Sequence, residues 1–284
     1  MDIGGSLSWS AVHDEVAKIT RTCTYSRAGI MWSDPAPGPR NSKAIAEDLH
    51  TALLKAGEQP PFVLVGHSAG GPYIMAFTKH FGSEVAGLVF VDASHPEQEQ
   101  RFKAFTPASG SPWRSLVHKM LAKLAWTGLT RTVLALSTRG APPPANIHAY
   151  APTSMTASFK ELNAWEQTLA EAGNARQLGD RPIYVLTSLA PTPEEILTRS
   201  GRTVAQDRQI KEAWKTMQED LASWSSHSRH EVLPDAGHYI QFDRPDAVVA
   251  AVRSVAEAAS VRADDWTAAR RTMAAGESVW EELD

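Results

Sequence analysis

The sequence predicts an α/β fold: a mostly parallel sheet flanked by helices and interrupted by a helical insertion. Two observations carry this. PFVLV (61–65) and VAGLVFV (85–91) are short, wholly apolar runs, as expected of parallel strands covered on both faces. Stretches with apolar residues at helical spacing stand before, between and after them, and strand–helix alternation is how parallel sheets are built.

The elements follow in order. TRTCTY (20–25) alternates as a strand does, with SRAG as its exit loop and Cys23 as a buried strand residue. DPAPGPR (34–40) reads as loop. Ile45, Leu49, Ala52, Leu53 and Ala56 then mark one face of a helix, with Gly57 as its C-cap. After the PFVLV strand and a glycine-rich turn, Pro72 sits in the first turn of a helix that reaches about His80 and ends near Gly82. VAGLVFV is the next strand.

From about Pro96 to Asp180 only helix-like segments and breakers occur. Leu116, Val117, Met120, Leu121 and Leu124 form one stripe, and Phe159, Leu162, Trp165 and Leu169 another, with PPPA (142–145) between them. RPIYVLTS (181–188) returns to strand. A long helix carries Ile210, Trp214, Met217, Leu221 and Trp224, and RHEVLP (229–234) is the last strand. A final helix carries Val248, Val252, Val255 and Ala259. The sheet domain therefore covers 1–95 and 181–261, the helical insertion covers 96–180, and 262–284 is a helical extension. In that extension Trp266, Ala269, Met273 and Trp280 recur at helical spacing. The stripe predicts a helix docked on its own domain, with a homodimer contact as the alternative.

The chain has 284 residues, 43% apolar and 21% charged, which suits one large domain with a sizeable core. The net charge is −4 with acids and bases well mixed, so nothing points to a nucleic-acid partner. No apolar run approaches the roughly 18 residues that span a bilayer. MDIGGSLSWS lacks a basic and then apolar leader, and a single cysteine permits no internal disulfide; both fit a cytoplasmic protein.

Gly66-His67-Ser68-Ala69-Gly70 fits G-x-S-x-G between a predicted strand and a predicted helix. A serine nucleophile needs that context: a sharp turn lifts its hydroxyl clear of the sheet edge, and the helix N-terminus favours an oxyanion. The Ala69 N–H is then one oxyanion donor. A serine hydroxyl also needs a base. Of ten histidines, His238 stands in a loop after the last strand, where chain order places the base. His67 is too close in the chain and packs locally, while His95 lies near a strand end. His118 and His148 fall in the insertion, where a structural role is expected. The acid must orient the imidazole. Asp92, at the end of GLVFV, is favoured on position; Glu194 and Glu195, past the next strand, are the alternatives. Asp235 and Asp243 read as loop residues.

LVGHSAGGPYIMAF, GLVFVDASHPEQ and DAGHYIQFDRP together resemble the α/β-hydrolase superfamily, in its branch of esterase-like serine hydrolases with a helical cap. The resemblance covers roughly residues 3 to 260. It implies a Ser–acid–His triad, no cofactor and no metal, with the 96–180 insertion as a cap or lid over the pocket. In relatives that place the acid after the earlier strand, Asp92 fills its position. The family has about three strands before the point where this chain begins. IGGSLSW (3–9) resembles the tail of the loop that ends the third, with Met1 and Asp2 standing where His-Gly is usual. Ile3 is then the second oxyanion donor. Without the strand before it, TRTCTY and PFVLV are expected either to leave a gap or to pair directly. That absence means either a late start or a rearranged fold.

The expected activity is hydrolysis of a carboxylic ester through an acyl-enzyme. Phe102, Phe105, Trp113, Trp126, Phe159 and Trp165 supply aromatic candidates for an apolar pocket, so a small-molecule ester with a medium apolar acyl or aryl group is expected. The same triad could serve a lactone, a thioester or a C–C bond beside a ketone. A low-activity, ligand-binding member of the fold is the rival from another class. Epoxide hydrolases and haloalkane dehalogenases resemble this fold but need an aspartate where Ser68 stands.

Overall fold

Three largely apolar stretches become β1 (Phe62–His67), β2 (Val85–Val91) and β3 (Ile183–Ser188), and a more polar one, SRHEVL, becomes β4 (Ser228–Leu233). The computed structural model describes residues 4–103, 105 and 145–277, with side chains for 4–103, 105 and 150–261. The strands pair in parallel in the order β1-β2-β3-β4. The helices are α1 (His13–Ala17), α2 (Ser42–Lys55), α3 (Gly70–His80), α4 (Gln98–Lys103), α5 (Ala145–Asn163) and α6 (Trp165–Gly173). They continue with α7 (Glu194–Ser200), α8 (Val204–Ala222), α9 (Ile240–Asp243) and α10 (Pro245–Glu277).

Alternation along the strands builds two cores. Leu64, Leu88, Phe90, Ile183 and Val185 face Ile74, Phe77, Ala172 and Leu221 on one side. Val89, Val91, Leu186 and Leu233 face Val12, Val16, Val248, Val252 and Val255 on the other. Each fully buried large side chain contributes on the order of 1.5–3 kcal/mol, so both faces of β2 anchor the domain. The expected C-cap of α2 forms, with Gly57 at φ +73° just past it, and the structure adds an N-cap, where Asn41 Oδ1 accepts from the Ala44 N–H at 3.0 Å.

Two expectations fail at the N-terminal side. TRTCTY is not a strand, and Cys23 is exposed rather than buried. Among the described residues no backbone hydrogen bond joins residues 21–27 to any strand, so the sheet starts at β1. Alternation alone does not make a strand; its N–H and C=O groups need a neighbouring ladder and its apolar face a layer to cover. Neither a gap between two strands nor direct pairing is found, because 20–25 contributes no strand. Before it, Gly5–Trp9 forms a short 3₁₀ turn followed by α1, whose Val16 packs beside α10.

At the other end α10 is one continuous helix from Pro245 to Glu277, with no break near 261. Trp280 lies outside the described residues, as do Trp113, Trp126, His118 and the stripe from Leu116 to Leu124. Among the described residues no helix is long and apolar enough to cross a membrane.

Candidate active site

Because the strands are parallel, their C-terminal ends open on one edge of the sheet, and the loops leaving them meet there. His67 of β1 pairs in register with Val91 of β2, so the next residues, Ser68 and Asp92, stand side by side. The Ser68 N–H donates to Val91 O at 3.2 Å, and the Asp92 N–H to Leu186 O at 2.8 Å. Two strands further over, the chain leaving β4 turns back through Ala236 and Gly237 to His238. That loop is braced at three points. The Ala190 N–H donates to Ala236 O at 3.0 Å, the Gly237 N–H to Asp243 Oδ2 at 2.8 Å, and Arg244 pairs with Asp235 at 3.0 Å. Asp235 is thus a loop residue, as expected, whereas Asp243 is the last residue of α9 and reaches back to brace the loop.

Ser68 has φ +52°, in the left-handed region that a residue with a Cβ rarely occupies. Such a conformation costs on the order of 1–3 kcal/mol and persists only where the surroundings impose it. Here the imposition is steric. A Cβ on Gly66 would lie 2.5 Å from Gly70 O, and one on Gly71 2.6 Å from the Ala93 Cβ. A Cβ on Gly70 would meet nothing within 4 Å. The close approach is therefore made by Gly66 and Gly71; the second glycine of the sequence motif is not the crowded one. Gly66→Ala is expected to lower the urea midpoint by an amount equivalent to about 1–3 kcal/mol, as overpacking does. Gly70→Ala should leave the midpoint unchanged or raise it, because alanine is the better helix former. Equal losses in the two variants would show that the turn is not held by this contact.

Ser68, His238 and Asp92 are joined in a row. His238 Nε2 stands 3.1 Å from Ser68 Oγ, and His238 Nδ1 2.7 Å from Asp92 Oδ2. A carboxylate can only accept, so Nδ1 carries the proton and Nε2 is left to accept from the serine hydroxyl. The Asp92 side chain is 3% exposed, and that of His238 46%. A buried carboxylate must be compensated. Asp92 Oδ1 accepts from the Ser188 N–H at 2.9 Å and from Trp214 Nε1–H at 2.8 Å, leaving Oδ2 to His238. Asp92 itself has φ +42°, a second strained position. The Ala69 N–H, at the cap of α3, makes no hydrogen bond among the described residues. Ile3 lies outside the described residues. Glu194 and Glu195 are exposed in the first turn of α7, with no bond to His238.

Two other histidines resolve as expected. His67 Nε2–H donates to the His238 carbonyl at 2.7 Å, with the two rings 4.7 Å apart. His95 is fully buried, accepts at Nδ1 from the Glu97 N–H at 3.1 Å and faces Asp220 Oδ2 at 2.8 Å. Burial pushes its pKa below the ordinary 6.5, so it is a neutral structural bridge. Trp214 is the residue that sequence reasoning assigned only to an apolar helix face. Its one available signal was that a buried indole N–H needs an acceptor.

Of the aromatic candidates, the Phe102 ring stacks 6.0 Å from that of Trp214, while Trp165 reaches outward to Glu99 at 3.2 Å. A cavity of about 130 Å³ opens elsewhere, between the loop around Gly29 and Arg40 and α5 at Thr153 and Lys160; none of Ser68, Asp92 or His238 lines it. Among the described residues no three His, Cys, Asp or Glu side chains gather as a metal site.

A parallel α/β sheet with a strained serine between strand and helix defines an α/β-hydrolase fold. A model of the alpha/beta hydrolase family matches residues 4–251, and the chain belongs to that family. It is 26% identical to a Hormonema carpetanum protein named "Probable transporter efuK", over 89% of this chain and 38% of that one. A second curated relative is covered over 14% of its length, so the chain spans less than two fifths of either. Among solved structures, it is similar to a thermophilic esterase from Thermogutta terrifontis, at a TM-score of 0.50 and 19% identity over 90% of this chain and 86% of that one. It is also similar to an N-formylmaleamic acid deformylase from Pseudomonas putida, at 0.53 and 17% over 88% of each chain. At these identities the likeness carries the fold.

Proposed function

We propose that this chain is a serine hydrolase that cleaves carboxylic esters through an acyl-enzyme. The single observation behind the reading is the row Ser68 Oγ, His238, Asp92, at 3.1 and 2.7 Å, built from three strand ends. His238 Nε2 takes the Ser68 proton as Oγ attacks the ester carbonyl. Asp92 holds the tautomer and stabilises the imidazolium. The oxyanion forms at the N-terminus of α3, where the Ala69 N–H is free to donate. His238 then returns the proton to the leaving alcohol; a water deprotonated by the same nitrogen attacks the acyl carbon, the bond to Ser68 Oγ breaks, and the proton returns to Oγ as the acid leaves.

The solved structures of this fold carry both esterase and deformylase names, so the fold does not choose the bond. The choice of acyl chemistry rests on Ser68, since a hydroxyl nucleophile with a histidine base suits an acyl carbonyl. The 96–180 stretch, which leaves the sheet at the Asp92 edge and returns through β3, is read as the cap over the substrate. Phe102 beside Trp214 supports an apolar acyl or aryl group.

A fluorophosphonate probe should label the folded protein, and Ser68→Ala should abolish labelling. p-Nitrophenyl esters of increasing chain length should be hydrolysed, with an optimum at medium length. A folded chain that takes no label and hydrolyses none of these esters would sink the reading.

A further inference from the structure

We propose that Trp214 is a positioning residue for Asp92: its indole N–H selects which carboxylate oxygen faces His238, and its ring couples the acid to the segment that enters the 96–180 stretch. The inference rests on the triad reading above. A carboxylate has two equivalent oxygens and can rotate about its last bond. Only an arrangement in which one oxygen points at His238 Nδ1 orients the imidazole. In this site the two oxygens are unlike. Oδ1 takes both remaining donors, the Ser188 N–H at 2.9 Å and the Trp214 Nε1–H at 2.8 Å, and Oδ2 takes His238 at 2.7 Å.

The two donors come from different elements. Ser188 is the last residue of β3, and Trp214 lies in the middle of α8. A single backbone donor fixes a distance and leaves a rotation open. A second donor from a rigid ring closes it. The carboxylate is almost sealed from solvent, so no water competes for Oδ1, and the indole bond is a charge-assisted one in a dry setting. Among the described residues, the Trp214 ring also stacks on that of Phe102 in α4, at 6.0 Å and 21° between planes. α4 is the first helix after β2. A shift of α4 therefore reaches Asp92 through one side chain.

Trp214→Phe keeps a ring to stack on Phe102 and removes only the donor. It is expected to lower kcat for p-nitrophenyl butyrate about tenfold, in the range of a hydrogen bond to a charged group, with KM within about twofold of wild type. Because Trp214 acts through the acid, Asp92→Asn/Trp214→Phe should be no slower than Asp92→Asn alone. A second readout needs no turnover. The far-downfield proton NMR signal of the His238–Asp92 hydrogen bond should move or vanish in Trp214→Phe. If Trp214→Phe does not fold, the Trp214 indole N–H signal of wild type should shift in Asp92→Asn. A kcat within twofold of wild type, losses that multiply in the double variant, or unmoved NMR signals would each overturn the proposal. A folded wild type that hydrolyses no ester counts against the ester-hydrolase reading instead, and the NMR comparison still decides this one.

Discussion

Asp92→Asn is expected to lower kcat for ester hydrolysis about 10⁴-fold, the scale set by loss of the correct histidine tautomer in a serine triad. The geometry gives the reason. Oδ1 receives two N–H donors, from Ser188 and Trp214, so the asparagine carbonyl oxygen must take that place. Its NH₂ then occupies the Oδ2 position, 2.7 Å from His238 Nδ1. Facing a donor, Nδ1 becomes an acceptor and the ring proton moves to Nε2, which can no longer accept from Ser68 Oγ. The fold should survive, since shape is preserved and a buried charge is removed. Circular dichroism and the urea midpoint check the fold, and steady-state kinetics read the loss. Glu195→Gln, on the exposed first turn of α7, should be indistinguishable from wild type. Collapse in the glutamate variant with Asp92→Asn active would move the acid to the later strand.

Why the site was more legible than its surroundings follows from what each residue answers to. Ser68, Asp92 and His238 sit at strand ends, and apolar runs such as VAGLVFV mark strand ends clearly because both faces must be covered. TRTCTY was misleading because its alternation was right but nothing in the described sheet pairs with it; pairing is a property of two segments, and one segment does not report it. Cys23 became exposed for the same reason. The elbow glycines were half legible. A motif counts Gly66 and Gly70, but the contacts that exclude a Cβ fall on Gly66, against the Gly70 backbone, and on Gly71, against Ala93, whose position the motif does not report. Trp214 stayed hidden because an indole at a helical apolar position reads as packing. Its N–H acquires a role only when α8 is laid across the end of β2.

Arg27→Met is expected to destabilise the fold by about 3–5 kcal/mol, the cost of leaving a buried partner charge unpaired. Arg27 lies in the SRAG stretch and Glu161 in α5, and their side chains meet in a bidentate pair at 2.7 and 2.9 Å. The Glu161 side chain is 0% exposed, and its other neighbour is the Tyr73 hydroxyl of α3 at 3.3 Å. Burial and the Glu161 charge both push the Tyr73 hydroxyl far above its ordinary range, so it stays protonated and donates. One long, neutral donor cannot replace a guanidinium. The stacked Arg27–Tyr73 contact, 5.4 Å from the guanidinium carbon to the ring centroid, is lost as well. Arg27→Met/Glu161→Leu should recover most of the loss, because a buried ion pair replaced by packed apolar groups is close to neutral. Urea midpoints of the two variants test this. If Arg27→Met costs less than about 1 kcal/mol, the pair behaves as a surface salt bridge. α5 is then held to the core by its other contacts, among them Ala157 against Ile30 and Met31 and the Met31 N–H donating to Ser154 Oγ at 2.8 Å.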